Sequence, residues 1–238
     1  MSYRTLIMVP AYNEEKTIKE VVERVKELYP DFDVLVINDG SEDQTESEAL
    51  KAGADVITLP FRTYGTPAVI TGYLVALRCC YDYLVKIDGD GQHKPEDILS
   101  VLRPVVEGLA DICVGSRYLE NGEQSDSLIK LAGRVLSSTL VGNLAKNVKV
   151  SDVTSGFRAW NRRALEVLLD TYLNERSFSD DSVLWLVETI IASRKELKIK
   201  EVPISVLPRK YGGSKSFSFL KMLKYPLRLI LLLMEMMR

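Results

Sequence analysis

Apolar residues come in short, nearly unbroken runs separated by amphipathic stretches. Thr5–Val9 (TLIMV), Asp33–Ile37, Val56–Leu59, Tyr83–Ile87 and Asp111–Gly115 read as strands. Runs of this kind, without clean alternation, suit a sheet covered on both faces. Between the first two, Ile18, Val21, Val22, Val25 and Leu28 recur at helical spacing, on a helix from about Glu15. Thr45–Ala52, Pro67–Cys80 and Pro95–Gly108 fill the later gaps as helices. The order β-α-β-α-β-α-β-α-β predicts an α/β fold, a mostly parallel sheet with helices on both faces.

After Arg117 the rhythm changes. Leu128–Ala145 is predicted helical, with apolar residues spread widely round it. Val153–Trp160 is irregular, Arg162–Leu173 and Asp181–Ser193 are helices, and Leu197–Val206 alternates as a strand would. Phe217–Met237 is a final helix, kinked or started near Pro226.

Bulk properties narrow this frame. The 238 residues allow one large domain, or a domain with an appendage, and 46% hydrophobic content supports a core. Net charge is only −2 but unevenly placed. From Arg194 onward there are eleven Lys and Arg against three Glu, a balance of +8 that leaves −10 on the rest. That basic end is either a solvated face or a surface for phosphate or lipid headgroups. Cys79, Cys80 and Cys113 lack metal-ligand spacing and read as reduced core thiols of a cytosolic protein. MSYR runs straight into a strand, so no signal peptide is expected. The longest apolar stretch, Leu227–Met234, is far below the roughly 20 residues needed to span a bilayer.

The chemistry centres on VKIDGDGQHKP, Val85–Pro95. A strand ends in Asp88, Asp90 and Gln92 follow a glycine turn, and a helix is predicted from Pro95, with Glu96 and Asp97 in its first turn. This delivers two carboxylates and an amide to the C-terminal edge of the sheet, where open α/β sheets bind ligands. Two such close carboxylates repel unless solvated or bridged, and a Mg2+ or Mn2+ ion would relieve that. At the same edge, Asp39 either accepts from a base or ribose or closes an Asx turn in NDGS. Tyr12 could stack on a flat base and Glu14 could bond it, while Asn13 could cap the following helix. His93, the only histidine, fits a polar network better than a general base.

The motifs VPAYNEE, INDGSEDQT, KIDGDGQHKPED, GSRY and DVTSGFRAW together resemble the GT-A glycosyltransferases of family two. Within them the chain is most similar to dolichol-phosphate mannose synthases and related polyprenyl-phosphate glycosyltransferases, over roughly Tyr3 to Lys215. The resemblance implies a Rossmann-like GT-A catalytic domain over 1–215 and an amphipathic membrane-interface helix over 216–238. It also implies residue roles. Pro10, Ala11, Tyr12, Glu14, Asp39 and Asp88 would hold the nucleoside. Asp88, Asp90 and Gln92 would form the metal and diphosphate site, with Asp88, Asp90 and Arg117 the catalytic set. Arg117, Arg134, Ser138, Arg209 and Lys215 would surround the acceptor phosphate. Arginine independently suits that task through bidentate recognition, although each arginine alone also fits a surface salt bridge. Arg158, in the SGFR signature, would be structural and pair with an acid such as Asp152.

Two stretches depart from the family pattern. FRTYGTPAVITGY places Arg62 near a position where the family carries Asn, with Pro67 inside. SFSDDSVLW places Asp180 and Asp181 where hydroxyl-directed members keep a catalytic base.

The expected activity is metal-dependent, inverting transfer of a hexose from a GDP-mannose or UDP-glucose type donor to a polyprenyl (dolichyl) phosphate. A lipid phosphate is already anionic and needs positive neighbours, whereas a hydroxyl needs a base, for which Asp180 or Asp181 would serve. The expected location is cytoplasmic, peripheral at the inner face of the cell membrane, with room for a separate membrane-protein partner and no nucleic-acid partner. A hydroxyl-directed transferase and a non-catalytic membrane-attached module are the rivals. A nucleotidylyltransferase is disfavoured, because VPAYNEE is no glycine-rich phosphate loop.

Overall fold

The computed structural model describes residues 3–119, 145, 150–174, 184–209 and 211. Among these residues, seven strands form one sheet: β1 (Thr5–Ala11), β2 (Asp33–Asn38), β3 (Asp55–Thr58), β4 (Tyr83–Lys86), β5 (Ile112–Ser116), β6 (Arg158–Asn161) and β7 (Ile199–Pro203). Their order is β3-β2-β1-β4-β6-β5-β7. All neighbouring strands pair in parallel except β6, which runs antiparallel to both β4 and β5. The helices are α1 (Ile18–Leu28), α2 (Thr45–Lys51), α3 (Thr66–Arg78), α4 (Ile98–Val106), α5 (Arg162–Asn174) and α6 (Leu184–Arg194).

The side-chain period of a strand explains both the runs and the two-sided core. Leu6 and Met8 of β1, Leu35 and Ile37 of β2 and Leu84 of β4 face one layer, filled by Tyr73 of α3, Leu165 and Leu168 of α5 and Val187 of α6. Ile7, Val9, Val34, Val36 and Val85 face the other, filled by Val22 of α1, Ala49 of α2 and Val101 of α4. A strand with helices on both sides is apolar at nearly every position. The edge strand β7 does not show the expected alternation: its residues are half-buried or exposed, with Ile199 packed on one layer and Val202 on the other.

Several boundaries differ from the sequence reading. β1 continues through Pro10 to Ala11, because Pro10 lies past the last β1–β4 pair, Met8 with Lys86, and only β2 continues beside it. The helix expected from Pro95 opens as a single tighter turn, Pro95–Asp97, before α4. The irregular stretch Val153–Trp160 ends in β6, whose four residues are too few for a periodic signal. Cys79 and Cys80 are exposed rather than in the core, because α3 stops at Arg78 and the chain turns at its surface end. Cys113, on β5, is buried as expected. The predicted helices Leu128–Ala145 (apart from Ala145) and Phe217–Met237 lie outside the described residues. Among the described residues, no helix is long and apolar enough to cross a membrane.

Candidate active site

The chain runs β1-β2-β3 outward in one direction, then returns to place β4 on the other side of β1. The crevice between the ends of β1 and β4 is therefore the topological switch point, the place where such sheets bind ligands. Pro10 and Ala11 end β1, Asp39 follows β2, Asp88, Asp90 and Gln92 follow β4, and Arg117 follows β5. Arg209 comes from the segment after β7. Arg134, Ser138, Lys215, Asp180 and Asp181 lie outside the described residues.

The loops at this edge are laced together by hydrogen bonds. Asn13 N–H donates to Ser41 Oγ at 2.9 Å and Glu42 N–H donates to Asn13 Oδ1 at 2.9 Å. Asn13 thus joins the β1 and β2 loops instead of capping α1, whose N-terminus begins at Ile18 after Thr17. Thr17 Oγ1 donates to Gly89 O at 2.8 Å, which fixes the acidic turn against the start of α1. In NDGS it is Asn38, not Asp39, that closes the turn, accepting from Ser41 N–H at 3.1 Å. Asp39 reaches sideways instead. Its Oδ1 accepts from Thr63 N–H at 2.7 Å and Thr63 Oγ1 at 2.6 Å. The same segment carries Arg62, whose guanidinium lies 3.9 Å from the Tyr12 ring centroid and 4.5 Å from that of Tyr64. One face of Tyr12 is therefore covered, and a base stacking there would use the other face or displace Arg62.

The acidic turn holds two carboxylates in different electrostatic settings. Asp88 Oδ1 accepts from the ammonium of Lys86, and its Oδ2 lies 3.4 Å from His93 Nδ1. Burial pushes this carboxyl up, but the Lys86 charge overrides it and brings its pKa down to about 2. Asp90 goes the other way, to about 6, raised by burial and then by the Asp88 charge. Its Oδ1 accepts from Gln92 N–H at 3.0 Å, and its Oδ2 lies 3.7 Å from Arg209. Arg209 donates to Glu14 Oε1 at 2.9 Å. Gln92 donates through Nε2 to Leu207 O at 3.4 Å. His93 is buried against Phe157, and burial lowers its pKa to about 4. At neutral pH it is an uncharged member of the network, as its sequence context suggested.

These donors fit a hard divalent cation. Two carboxylates and an amide oxygen sit within five residues, and the charge of one raises the pKa of the other. Among the described residues, no group of three His, Cys, Asp or Glu converges on one point. A cation here would draw its remaining ligands from water and substrate phosphate, as Mg2+ and Mn2+ usually do.

Arg117 is held by Asp152 in a bidentate pair, with Nε to Oδ2 and Nη2 to Oδ1 both at 2.7 Å, and Nη2 also donates to Thr154 Oγ1 at 2.8 Å. The sequence had assigned Asp152 to Arg158. Arg158 instead pairs with fully buried Glu188 at 3.0 Å and donates to the carbonyls of Val153, Ser155 and Trp185. Its structural role stands, with a different acid, because its strand directs it inward against α6. Sequence reasoning missed Lys86 entirely. The available signal was a charge inside the apolar run YLVKI, at a position that the strand period assigns to the core.

Residues 6–169 match the family model described as glycosyl transferase family 2. The chain belongs to that family. It is 31% identical to polyprenol monophosphomannose synthase of Mycolicibacterium smegmatis over 223 residues, 89% of this chain and 80% of that one. It is 31% identical over 246 residues to UDP-N-acetylglucosamine–dolichyl-phosphate N-acetylglucosaminyltransferase of Methanococcus voltae, covering 96% and 95%. Undecaprenyl-phosphate mannosyltransferase of Micrococcus luteus is 28% identical, covering 89% and 87%. Among solved structures, glucosyl-3-phosphoglycerate synthase of Mycobacterium tuberculosis, in complex with Mn2+, UDP-glucose and phosphoglyceric acid, superposes with a TM-score of 0.65 at 20% identity, covering 94% of this chain and 79% of that one. That likeness supports the GT-A fold. This family-two chain is a glycosyltransferase.

Proposed function

We propose that this glycosyltransferase moves a hexose from a nucleotide-diphosphate sugar to a polyprenyl phosphate, with inversion, at the edge between β1 and β4. The observation that carries the reading is the Asp88–Asp90 turn at the switch point, with Arg209 beside Asp90. The three named relatives share a polyprenyl-type phosphate in their names but differ in the sugar, so the lipid phosphate is the firmer half of the proposal.

Asp90 and Gln92, with Asp88 beside them, would hold Mg2+ or Mn2+ against the donor diphosphate. When bound, the ion would offset the charge that grows on the departing nucleoside diphosphate. Pro10, Ala11, Tyr12, Glu14 and Asp39 line the side on which the nucleoside would lie. Asp39 holds the Thr63 loop in place there. Arg117, oriented by Asp152, and Arg209 supply positive charge for an anionic acceptor. Without such groups, two phosphate-bearing substrates would repel each other. An acceptor phosphate oxygen then attacks the anomeric carbon, and the bond from that carbon to the diphosphate oxygen breaks. The phosphate enters already deprotonated, so no strong base is required.

Under this reading the enzyme works at a membrane surface as a peripheral protein. Asp90→Asn should abolish transfer to a short polyprenyl phosphate in the presence of Mn2+. A fully active Asp90→Asn enzyme would rule the proposal out. Asp181→Asn separates the acceptor classes: it should leave phosphate-directed transfer within a few fold, whereas removing the base of a hydroxyl-directed enzyme costs about 100-fold or more.

A further inference from the structure

We propose that Lys86 is a positioning residue for the donor site: its buried ammonium occupies Asp88 and so leaves Asp90 as the carboxylate that takes the cation. The inference rests on the donor-site reading above and deepens it.

Lys86 stands where the fold calls for an apolar side chain. It pairs with Met8 of β1 on one side and Arg158 of β6 on the other, and it is only 4% exposed. A lysine in such a place is costly unless its charge is matched. The match is Asp88, whose Oδ1 accepts from the ammonium. The rest of its surroundings are shaped to that charge. The ammonium lies 5.1 Å from the Trp185 ring centroid, and the Arg158 guanidinium lies 5.1 Å from the same ring. Gly156 passes so close that a Cβ there would meet the ammonium nitrogen at 2.7 Å and the Trp185 ring at 3.2 Å. Lysine's compact charge fits this space, and arginine's broad fork would not.

The two carboxylates of the turn are thereby given separate tasks. Asp88 faces Lys86 through one oxygen and His93 through the other. A divalent ion placed on Asp88 would sit beside an ammonium and be repelled by it. Among the described residues, the cation beside Asp90 Oδ2 is Arg209, which stands off at 3.7 Å and is itself paired with Glu14 at 2.9 Å. Asp88 then serves as a fixed acceptor beside the donor, and the turn presents one metal carboxylate instead of two competing ones.

The test uses the full chain and Mn2+, titrated by paramagnetic resonance in the presence of UDP or GDP, with thermal melts alongside. Lys86→Met should bind Mn2+ about tenfold tighter, because a repelling charge is gone and Asp88 is released, while transfer falls by at least about tenfold. Adding Asp88→Asn to Lys86→Met should return Mn2+ affinity to the native value. In the otherwise native chain, Asp88→Asn should change Mn2+ affinity by less than about threefold, and Asp90→Asn should remove it. A Lys86→Met protein that melts lower and binds Mn2+ equally or more weakly would show a purely structural lysine and overturn the inference. So would a native-background Asp88→Asn that loses Mn2+ as fully as Asp90→Asn, an arm that needs no lysine variant to fold. A native chain that takes up no Mn2+ with either nucleotide would instead remove the donor-site reading itself, and this inference with it.

Discussion

Arg209 Nη2 donates to Glu14 Oε1 at 2.9 Å, joining positions 195 residues apart in sequence. The pair is mostly shielded, at 16% and 13% side-chain exposure, and Asp90 Oδ2 lies 3.7 Å from the same nitrogen. The segment after β7 therefore meets the loop after β1, and Arg209 stands between Glu14 and the acidic turn. If it serves the acceptor phosphate, Arg209→Met should raise the acceptor KM about 10- to 100-fold, the equivalent of about 1.5–3 kcal/mol for a hydrogen bond to a charged group. Kinetics with the acceptor varied at saturating donor measure this. An equal loss in donor affinity would assign Arg209 to the donor instead.

Arg158 and Glu188 form an ion pair with no exposed surface on either side chain. Glu188 also accepts from Trp160 Nε1 at 2.9 Å and from Tyr73 OH at 2.6 Å, so β6, α3 and α6 meet on one carboxylate. Arg158→Met should cost about 3–5 kcal/mol, because it strands a buried charge. Glu188→Gln should cost at least as much, since it strands the Arg158 guanidinium, which unlike a carboxyl cannot shed its charge. Urea unfolding of both variants gives the comparison.

The sequence made the parallel half of the fold legible because its strands are buried on both faces and its helices keep a one-sided apolar stripe, as Val21, Val22 and Val25 do. The switch-point residues were legible for a related reason: Asp88 follows directly on an apolar run, and Asp39 comes one residue after another. The partners of those residues were not. Asp39 meets Thr63 across 24 residues, and Arg117 meets Asp152 across 35. Such pairings are set by which strands become neighbours, and β6 entered between β4 and β5 without any periodic signal. That insertion brought Arg158 beside Lys86, where its acid is Glu188.

The Arg117–Asp152 pair should be visible in the pH dependence of stability. Burial pushes the Asp152 carboxyl up, but the hydrogen bonds and charge of Arg117 outweigh it and hold its pKa below the usual range. A carboxyl depressed in the folded state adds stability above its unfolded pKa, about 3.9, and loses that contribution as the pH falls through the folded value. In Arg117→Gln the burial effect would be left unopposed and the folded pKa would rise. The stability gap between native and variant chains should therefore be widest at neutral pH and narrow as pH falls toward about 4. Urea unfolding at stepped pH tests the sign, and a gap that stays constant would show that the pair does not control Asp152.

Gly40 separates two costs that are usually confounded. Its φ is +66°, and a Cβ there would lie 2.5 Å from the Phe61 carbonyl carbon and 2.6 Å from the Arg62 nitrogen. Both are backbone atoms, so an alanine must move the segment that carries Arg62 and Thr63. Gly108 has nearly the same φ, +69°, with nothing within 4 Å of its Cβ position. Gly108→Ala should thus cost only the left-handed penalty, roughly 1–2 kcal/mol, and leave nucleotide binding unchanged. Gly40→Ala should cost more than that. It should also weaken nucleoside diphosphate binding several fold, about 1 kcal/mol, because Asp39–Thr63 and Arg62–Tyr12 are built by the displaced segment. Calorimetric titration of both variants with UDP, GDP and Mn2+ decides it. Equal nucleotide affinity in the two would mean that the segment beside Tyr12 plays no part in holding the donor.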